Sequence, residues 1–384
     1  MFVERGKLER ARRSVNFPVL AATLLAITAC GRPMRPAPPI EPRGDWPTVL
    51  GNAQRAGYAT ETVPEAPEEV WRASVGRGLF MPVLVEGPVL IASTANRMVA
   101  TLSTETGEHY WERRLDGPVT GGVIRGGQRI VAATEDRDGK AYALRLDRGR
   151  TAWDRTIGAT AFPGLIAGDA VYFATERGRV VAIDLERGEE LWRTDVRGAA
   201  TSTPVAHRGS VLVTTVRDTL YRIERASGRI AARAALPATV SAAPALVADT
   251  LYLPLQTGDL VAYQLPDLEE LWRAPFGAPI LAAPVVGQDG SLYVLNRSAE
   301  LWRVRLGARA GEKLASLDGA ARASLAVTRD RLLVGRLDGK LFLLDMDGRV
   351  VWERDFEDSI VAPVTVADGA LYVPLLRGTI VKLR

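Results

Sequence analysis

A pattern of tryptophans and short strands recurs about every 40 residues from residue 69 to the end of the chain. The tryptophans that keep this period are Trp71, Trp111, Trp153, Trp192, Trp272 and Trp352. The two double-length gaps hold Ala232 and Ala315 in register, which gives eight equivalent positions. A second marker keeps the same period at Pro82, Pro163, Pro204, Pro244, Pro284 and Pro363. A period of this length is typical of repeat folds, in which each unit buries its apolar face against its neighbours.

Each repeat contains four short strands and no helical pattern. In the repeat that ends near Trp192, two of these strands are residues 171–174 and 180–184, and a turn containing Gly188 leads into the tryptophan strand. Four short strands bounded by Gly, Asp and Pro predict one blade of a β-propeller. A β-solenoid is the competing architecture, but its repeats are usually shorter.

The two ends of the repeat region complement each other. Residues 69–75 form a tryptophan strand alone, whereas residues 360–384 supply three strands without a tryptophan strand. Together they make one complete blade and would pair the first and last sheets, which removes an open edge. We therefore predict an all-β fold over residues 69–384: a single eight-bladed β-propeller of four-stranded antiparallel blades, closed by the N- and C-terminal strands.

The N-terminus has the pattern of an export signal that ends at the only cysteine of the chain. Basic residues precede an apolar run over residues 17–29, which is shorter than the about 20 residues that span a bilayer. The run ends in Ile27-Thr28-Ala29-Cys30, which resembles the lipobox of bacterial lipoproteins. The resemblance implies that residues 1–29 are a lipoprotein signal peptide, and that Cys30 receives acyl chains, such as palmitate, after cleavage.

Residues 30–68 would then hold the lipidated cysteine and a proline-rich tether, because such a segment prefers an extended, semi-rigid backbone. Gly31 follows the cysteine, where lipoproteins retained in the inner membrane carry Asp. We therefore expect a protein that is lipid-anchored in the outer membrane and faces the periplasm.

The charge of the chain excludes one class of function. The formal net charge is +4, but residues 1–29 hold five basic and two acidic side chains, so the remaining body carries +1. General nucleic-acid binders need a strong basic excess. We therefore predict no nucleic-acid partner.

Few residues are available for catalysis. The chain has two histidines, His109 and His207, and a triad would need a nucleophile beside one of them. Ser202 and Ser210 are the serines nearest to His207 in sequence, but no spacing selects either. No glycine-rich phosphate loop precedes a predicted helix. We predict that the protein is not an enzyme and has no cofactor and no metal site.

Repeats such as the stretch from Val180 to Trp192 resemble the PQQ-type propeller repeat, and the resemblance covers residues 69–384. With the lipobox, the tether and the final strand over residues 378–384, the chain resembles the BamB-type lipoproteins of the outer-membrane β-barrel assembly machinery. This resemblance implies a non-catalytic scaffold that docks on periplasmic domains of the barrel insertase. The docking residues of that family cannot be transferred to this sequence.

Two alternatives remain open at this point. A PQQ-like propeller lipoprotein could serve as a scaffold for some other partner, because a fold does not determine a function. The chain also resembles the quinoprotein dehydrogenases in blade count. That family uses a pair of adjacent cysteines and a calcium ion held by acidic and amide ligands, whereas Cys30 is the only cysteine here.

Arginines recur in the turns between the second and third strands of the blades. They are Arg97, Arg137, Arg177, Arg217, Arg297 and Arg377, and multiples of 40 residues separate them. These turns emerge on one side of a propeller, so we predict a rim of guanidinium groups that binds carboxylates of a protein partner. The competing interpretation is a set of solvated turns neutralised by nearby acids. Those acids are Glu135, Asp136, Asp138, Glu176, Asp218 and Asp338.

Overall fold

The computed structural model describes residues 35–38, 59–322 and 325–384. These residues form 32 strands in eight four-stranded antiparallel sheets, and no helix occurs among them. The prediction of an all-β, eight-bladed propeller is confirmed. In these ranges no helix is long and apolar enough to cross a membrane. The predicted signal peptide, Cys30 and residues 31–34 and 39–58 of the predicted tether lie outside the described residues.

The strands follow one another around the ring, four to a blade. Blades 1 to 4 contain β2 (Leu84–Glu86), β3 (Val89–Ser93), β4 (Met98–Ser103), β5 (His109–Arg114); β6 (Val123–Gly126), β7 (Arg129–Ala133), β8 (Lys140–Arg145), β9 (Thr151–Thr156); β10 (Leu165–Ala167), β11 (Ala170–Ala174), β12 (Arg179–Asp184), β13 (Glu190–Asp195); β14 (Val205–His207), β15 (Ser210–Thr215), β16 (Thr219–Glu224) and β17 (Ile230–Ala235).

Blades 5 to 7 continue the same order, and blade 8 combines the first strand with the last three. They contain β18 (Ala245–Val247), β19 (Thr250–Pro254), β20 (Asp259–Gln264), β21 (Glu269–Pro275); β22 (Val285–Val286), β23 (Leu292–Leu295), β24 (Glu300–Val304), β25 (Glu312–Ser316); β26 (Leu325–Val327), β27 (Leu332–Gly335), β28 (Lys340–Leu344), β29 (Val350–Asp355); and β30 (Thr365–Ala367), β31 (Ala370–Pro374), β32 (Thr379–Leu383) with β1 (Glu69–Ser74).

The hydrophobic core lies between neighbouring blades. Within a blade we name the strands a to d from the inside outwards. One cluster joins Ile124, Val131 and Trp153 of blade 2 to Phe173 and Val181 of blade 3. In blade 3, strand b is buried throughout and strand c is buried except at its ends, whereas the outer strand β13 has only exposed and half-buried residues. This pattern agrees with the alternating sequence, because successive side chains of a strand point to opposite faces.

The ring closes as the sequence predicts. Strand β1 pairs antiparallel with β32, with Trp71 opposite Lys382 and Ser74 opposite Thr379. Two backbone hydrogen bonds between Glu68 and Arg384, of 2.9 and 2.8 Å, extend this pairing. The first strand of the propeller is therefore the outer strand of the last blade.

The tryptophans join adjacent blades. The indole nitrogen of Trp153 donates a 2.9 Å hydrogen bond to the carbonyl of Leu185, in the c–d turn of the next blade. Trp71, Trp111 and Trp192 make the corresponding bonds to Thr104, Leu146 and Arg225. Burial of a large aromatic ring together with a satisfied indole N–H accounts for the recurrence of tryptophan at this position.

The two alanine slots are compensated in different ways. Beside Ala232, the c–d turn of blade 5 carries buried Leu268 at the position where other blades have glycine. Beside Ala315, Leu314 packs against the turn of blade 7, and Arg303 donates a 3.3 Å hydrogen bond to the Met346 carbonyl in that turn.

The propeller has two faces with different turns. The b–c turns and the blade-to-blade loops share one face, as the 3.0 Å bond from Glu135 N–H to the Pro118 carbonyl illustrates. We call it the bc face. The a–b and c–d turns share the opposite face, where Leu146 N–H bonds to the Gln128 carbonyl at 3.1 Å. We call it the cd face.

The described parts of the segment before β1 contact the cd face. Ala37 is buried and its N–H donates a 2.8 Å bond to the carbonyl of Asp147 in a c–d turn. Ala59 donates a 2.9 Å bond to Val327, and the Glu61 carboxylate accepts a bond from Gly369 N–H. These described parts therefore leave the bc face uncovered.

Candidate docking face and central funnel

The six arginines singled out in the sequence all lie in b–c turns, and all six are exposed. Among the described residues, Arg97, Arg137, Arg177, Arg217 and Arg297 have no carboxylate within 4.0 Å. Arg377 lies 3.9 Å from Asp358. As far as the described part of the chain goes, five guanidinium groups of the bc face are available to an external carboxylate.

Several acids that could neutralise these arginines are bonded to other groups. The Asp218 carboxylate accepts a 2.7 Å hydrogen bond from Thr239, and Asp136 accepts one of 2.5 Å from Thr134. Glu135 accepts a hydrogen bond from the hydroxyl of Thr120. These bonds hold the acids in their own turns instead of beside the arginines.

The arginines do not occupy equivalent turn positions, although their spacing suggests it. Arg97 is the fourth residue of its turn and has a φ of 76°, whereas Arg177, Arg217 and Arg377 are third residues and Arg297 is a second residue. The last turn residue, which is the fourth except in the longer turn of blade 2, lies in the left-handed region in every blade and is glycine in five of them. The blades differ in length, so a constant spacing selects the same turn but not the same place in it.

The second turn residues form a true ring around the axis on the bc face. The N–H of each donates to a carbonyl of the preceding blade-to-blade loop at 2.8 to 3.0 Å. The members are Ala95, Glu135, Glu176, Val216, Gln256, Arg297, Leu337 and Leu376. Sequence reasoning missed this ring, because exact multiples of 40 residues do not keep the second turn position in register from blade to blade.

Three members of the ring, Glu135, Arg297 and Leu337, line a central funnel with a volume of about 830 Å³. Its wall is mainly apolar and includes Phe80, Met81, Phe162, Leu281 and Leu337. Phe80 is 38% exposed and Leu337 is 36% exposed, so part of this apolar surface meets solvent. The volume lies within the range of about 300–1,000 Å³ that is common for ligand pockets.

The charges of the funnel mouth are segregated. Glu135 of blade 2 and Glu176 of blade 3 are neighbouring members of the ring, while Arg297 of blade 6 stands across the axis. Arg322, in the loop between blades 6 and 7, also lines the funnel and has no ion-pair partner among the described residues. Desolvation, and after it repulsion from Glu135, raises the pKa of Glu176. The mouth is thus acidic on one side and basic on the other.

Both histidines take part in contacts between blades. His207 is buried, and its Nε2 lies 2.7 Å from Asp249 in the next blade. This hydrogen bond, and secondarily the charge of Arg208, lowers the pKa of Asp249. His109 Nε2 bonds to the carbonyl of Ser74 at 2.9 Å. These contacts give the two histidines a structural role.

The residues of the funnel do not fit the quinone and calcium site of a dehydrogenase. No group of three or more His, Cys, Asp or Glu side chains that could hold a metal ion occurs in the described ranges. Calcium needs six to eight oxygen ligands, whereas this wall offers mainly alkyl and aromatic carbon. The only cysteine, Cys30, cannot supply an adjacent pair.

Comparison with known proteins connects the sequence to one family. The family model described as outer membrane protein assembly factor BamB matches residues 61–161, 137–286 and 288–383. A relative with that name from Burkholderia pseudomallei is 31% identical over 129 residues, which is 33% of this chain and 33% of the relative. The chain thus aligns with about a third of that relative. Another, from Yersinia pestis, is 21% identical over 345 residues and covers 80% of this chain and 86% of its own length.

Solved structures share the fold. BamB from Moraxella catarrhalis has a TM-score of 0.68 at 19% identity and covers 83% of this chain and 97% of its own. A quinohemoprotein alcohol dehydrogenase from Comamonas testosteroni has a TM-score of 0.74 at 12% identity and covers 88% and 80%. At such identities these structures establish the propeller alone, whereas the family match spans nearly the whole propeller. This chain belongs to the family of the outer membrane protein assembly factor BamB.

Proposed function

We propose that this protein is a non-catalytic scaffold in outer-membrane protein assembly, which binds partner proteins of the β-barrel assembly machinery through its bc face. The family match over residues 61–383 carries the proposal. The bc face supports it, because that face presents an apolar funnel mouth and five exposed arginines that have no carboxylate partner in the described ranges. The chemistry of these side chains suits the binding of a protein with exposed carboxylates.

Charge reversal on the bc face tests this proposal. Replacement of Arg137, Arg177 and Arg217 by Glu should abolish capture of the assembly machinery, because the guanidinium groups would become carboxylates that repel an acidic partner. Capture should be measured by crosslinking in intact cells at low and moderate salt, with identification of the captured proteins. The loss should be larger at low salt, where exposed charges are less screened.

The cd face provides a matched control. Arg148, Arg187 and Arg309 are exposed residues of c–d turns, and their replacement by Glu makes the same change in net charge. This control should capture as much as the unaltered protein. Equal capture by both triple variants, with unchanged circular dichroism, would contradict docking through the arginines. A quinone absorbance in the purified protein would instead favour the dehydrogenase alternative.

We further propose that a lipid on Cys30 anchors the propeller at the outer membrane. The lipobox-like segment before the only cysteine supports this anchor. We predict that mass spectrometry of the N-terminal peptide will find Cys30 as the acylated first residue, and that Cys30→Ala will move the protein into the soluble periplasmic fraction. An unmodified Cys30 within an uncleaved chain would contradict the anchor.

A further inference from the structure

Our further inference concerns what enters the funnel, and it rests on the proposed function, in which the bc face docks a protein. We infer that the funnel is a binding site for a peptide segment of the partner. This segment carries apolar side chains in its middle, a basic side chain at one end and an acidic side chain at the other. The segment crosses the mouth from blades 2 and 3 to blades 6 and 7.

The apolar wall of the funnel determines which side chains the middle of the peptide segment carries. Phe80, Met81 and Phe162 lie on the side of blades 8, 1 and 2, and Leu281 and Leu337 lie on the side of blades 5 to 7. Together they surround about 830 Å³ that opens to solvent on the bc face. Transfer of apolar side chains from water into this volume stabilises the complex in proportion to the buried area. A strongly polar ligand would instead lose hydration without new hydrogen bonds.

Two carboxylates of the protein determine that one end of the peptide segment is basic. Glu135 and Glu176 occupy equivalent positions in neighbouring blades, and Thr120 holds the Glu135 carboxylate in place by a hydrogen bond. The charge of Glu135 disfavours the charge of Glu176, so a cation between the two carboxylates relieves a repulsion that exists in the free protein. A lysine or arginine side chain of the partner satisfies both groups.

Two guanidinium groups of the protein determine that the other end of the peptide segment is acidic. Arg297 is the only basic member of the ring, and Arg322 lines the funnel beside it. No carboxylate of the described residues lies within 4.0 Å of either side chain. Blades 2 and 6 are opposite in a ring of eight, so a ligand must extend across the mouth to reach both charges. This requirement selects an extended chain instead of a single small anion or cation.

A synthetic peptide tests the inference on the full-length protein. The probe is a short, end-capped, fluorescein-labelled peptide with lysine at one end, leucine and phenylalanine in the middle and glutamate at the other end. We expect saturable binding by fluorescence anisotropy. Neutralisation of one end of the peptide, with glutamine for lysine or glutamate, should weaken binding about two- to fivefold, as is usual for the loss of an exposed ion pair. Serine in place of the apolar residues should abolish it.

Variants of the protein provide the second arm. Glu135→Gln with Glu176→Gln should weaken binding of the charged peptide as much as removal of its lysine, and should not further weaken the peptide that lacks lysine. Glu135→Arg with Glu176→Arg should reverse the preference, so that a peptide with glutamate at both ends binds best. The control pair Glu105→Gln with Glu189→Gln removes the same charge from exposed c–d turns on the other face, and should leave binding unchanged.

The outcomes separate this inference from the proposed function. Binding that does not respond to the funnel charges, or no saturable binding, overturns the peptide site. If crosslinking still captures the assembly machinery, the proposed function survives that result. Peptide binding with the predicted charge dependence supports the peptide site. If the assembly machinery is not captured in the same protein, the proposed function is contradicted. A change of oligomeric state in the funnel variants would identify a second copy of this chain as the occupant and would also overturn the inference.

Discussion

At the scale of single residues, the least expected feature is a buried ion pair between two blades. Glu86 is the last residue of strand a in blade 1, and its carboxylate contacts the guanidinium of Arg125 in strand a of blade 2. The side chains are only 2% and 5% exposed. The equivalent end of strand a in blade 4 carries His207, which contacts Asp249 of the next blade. The sequence offered no indication of the Glu86 contact, since each residue of the pair stands alone within an apolar strand.

Removal of one partner should be far more damaging than removal of both. Arg125→Met leaves the Glu86 carboxylate buried without a counter-charge, which should lower the free energy of unfolding by about 3–5 kcal/mol. Glu86→Leu combined with Arg125→Met replaces the pair by apolar groups and should return to within about 1–2 kcal/mol of the unaltered protein. Urea unfolding measures both variants. Equal destabilisation by the single and double variants would contradict this prediction. It would mean that the buried Glu86 carboxylate does not need the charge of Arg125.

At the scale of strands and turns, the junction between blades uses paired residues. A Cβ atom on Gly188 would lie 2.4 Å from the Trp153 ring, so the large residue in one blade requires glycine in the turn of the next. Blade 4 reverses this arrangement, because Ala232 faces Leu268, whose φ is 61°. At this junction the large side chain belongs to the turn, whereas at the other junction it belongs to the strand. The space between the blades is filled in both cases.

This exchange predicts a coupled double variant. Ala232→Trp alone forces a ring against Leu268 and should cost about 1–3 kcal/mol. Leu268→Gly alone removes a buried side chain at a cost of about 2–5 kcal/mol, partly offset because glycine accepts a positive φ without strain. The double variant recreates the pair of the other blades and should be more stable than the sum of the single effects by at least about 1–2 kcal/mol. Ala232→Trp with Leu344→Ala, a distant core change in blade 7, should be additive.

The same elements explain how far the sequence could predict the structure. The tryptophan positions predicted the number of blades and the closure of the ring. They could do so because the tryptophans fill the same kind of space between one blade and the next. The arginines, also spaced by 40 residues, lie in the predicted b–c turns. They did not predict the ring around the funnel, since turn residues such as Arg297 and Arg177 meet no shared packing constraint that would keep them in equivalent positions. The compensation at Ala232 by Leu268 could not be predicted from the sequence, because it depends on a contact between blades.

At the scale of the whole molecule, stability depends on how the outer edges of the sheets are protected from pairing with another chain. Every c–d pair has a register shift beside the tryptophan slot, as between Glu69 and Trp71 in the closing blade. Such bulges bend the outer strand and interrupt the row of backbone groups that another chain could extend. In blade 8 the protected edge belongs to β1, so loss of that one strand would expose the regular edge of β32.

The closing strand should therefore control both stability and association. We compare chains that begin at residues 31, 59 and 76, all without the signal peptide. The chain from residue 59 keeps β1 and the bonds between Glu68 and Arg384, and should unfold in urea almost like the chain from residue 31. The chain from residue 76 lacks Trp71 and the partner of β32. It should lose about 3–5 kcal/mol, because the half-buried Trp71 ring and the pairing of β1 with β32 are lost together. It should also form oligomers through the exposed edge of β32, which sedimentation detects. If the chains from residues 59 and 76 are equally stable and monomeric, then the ring does not depend on closure by β1.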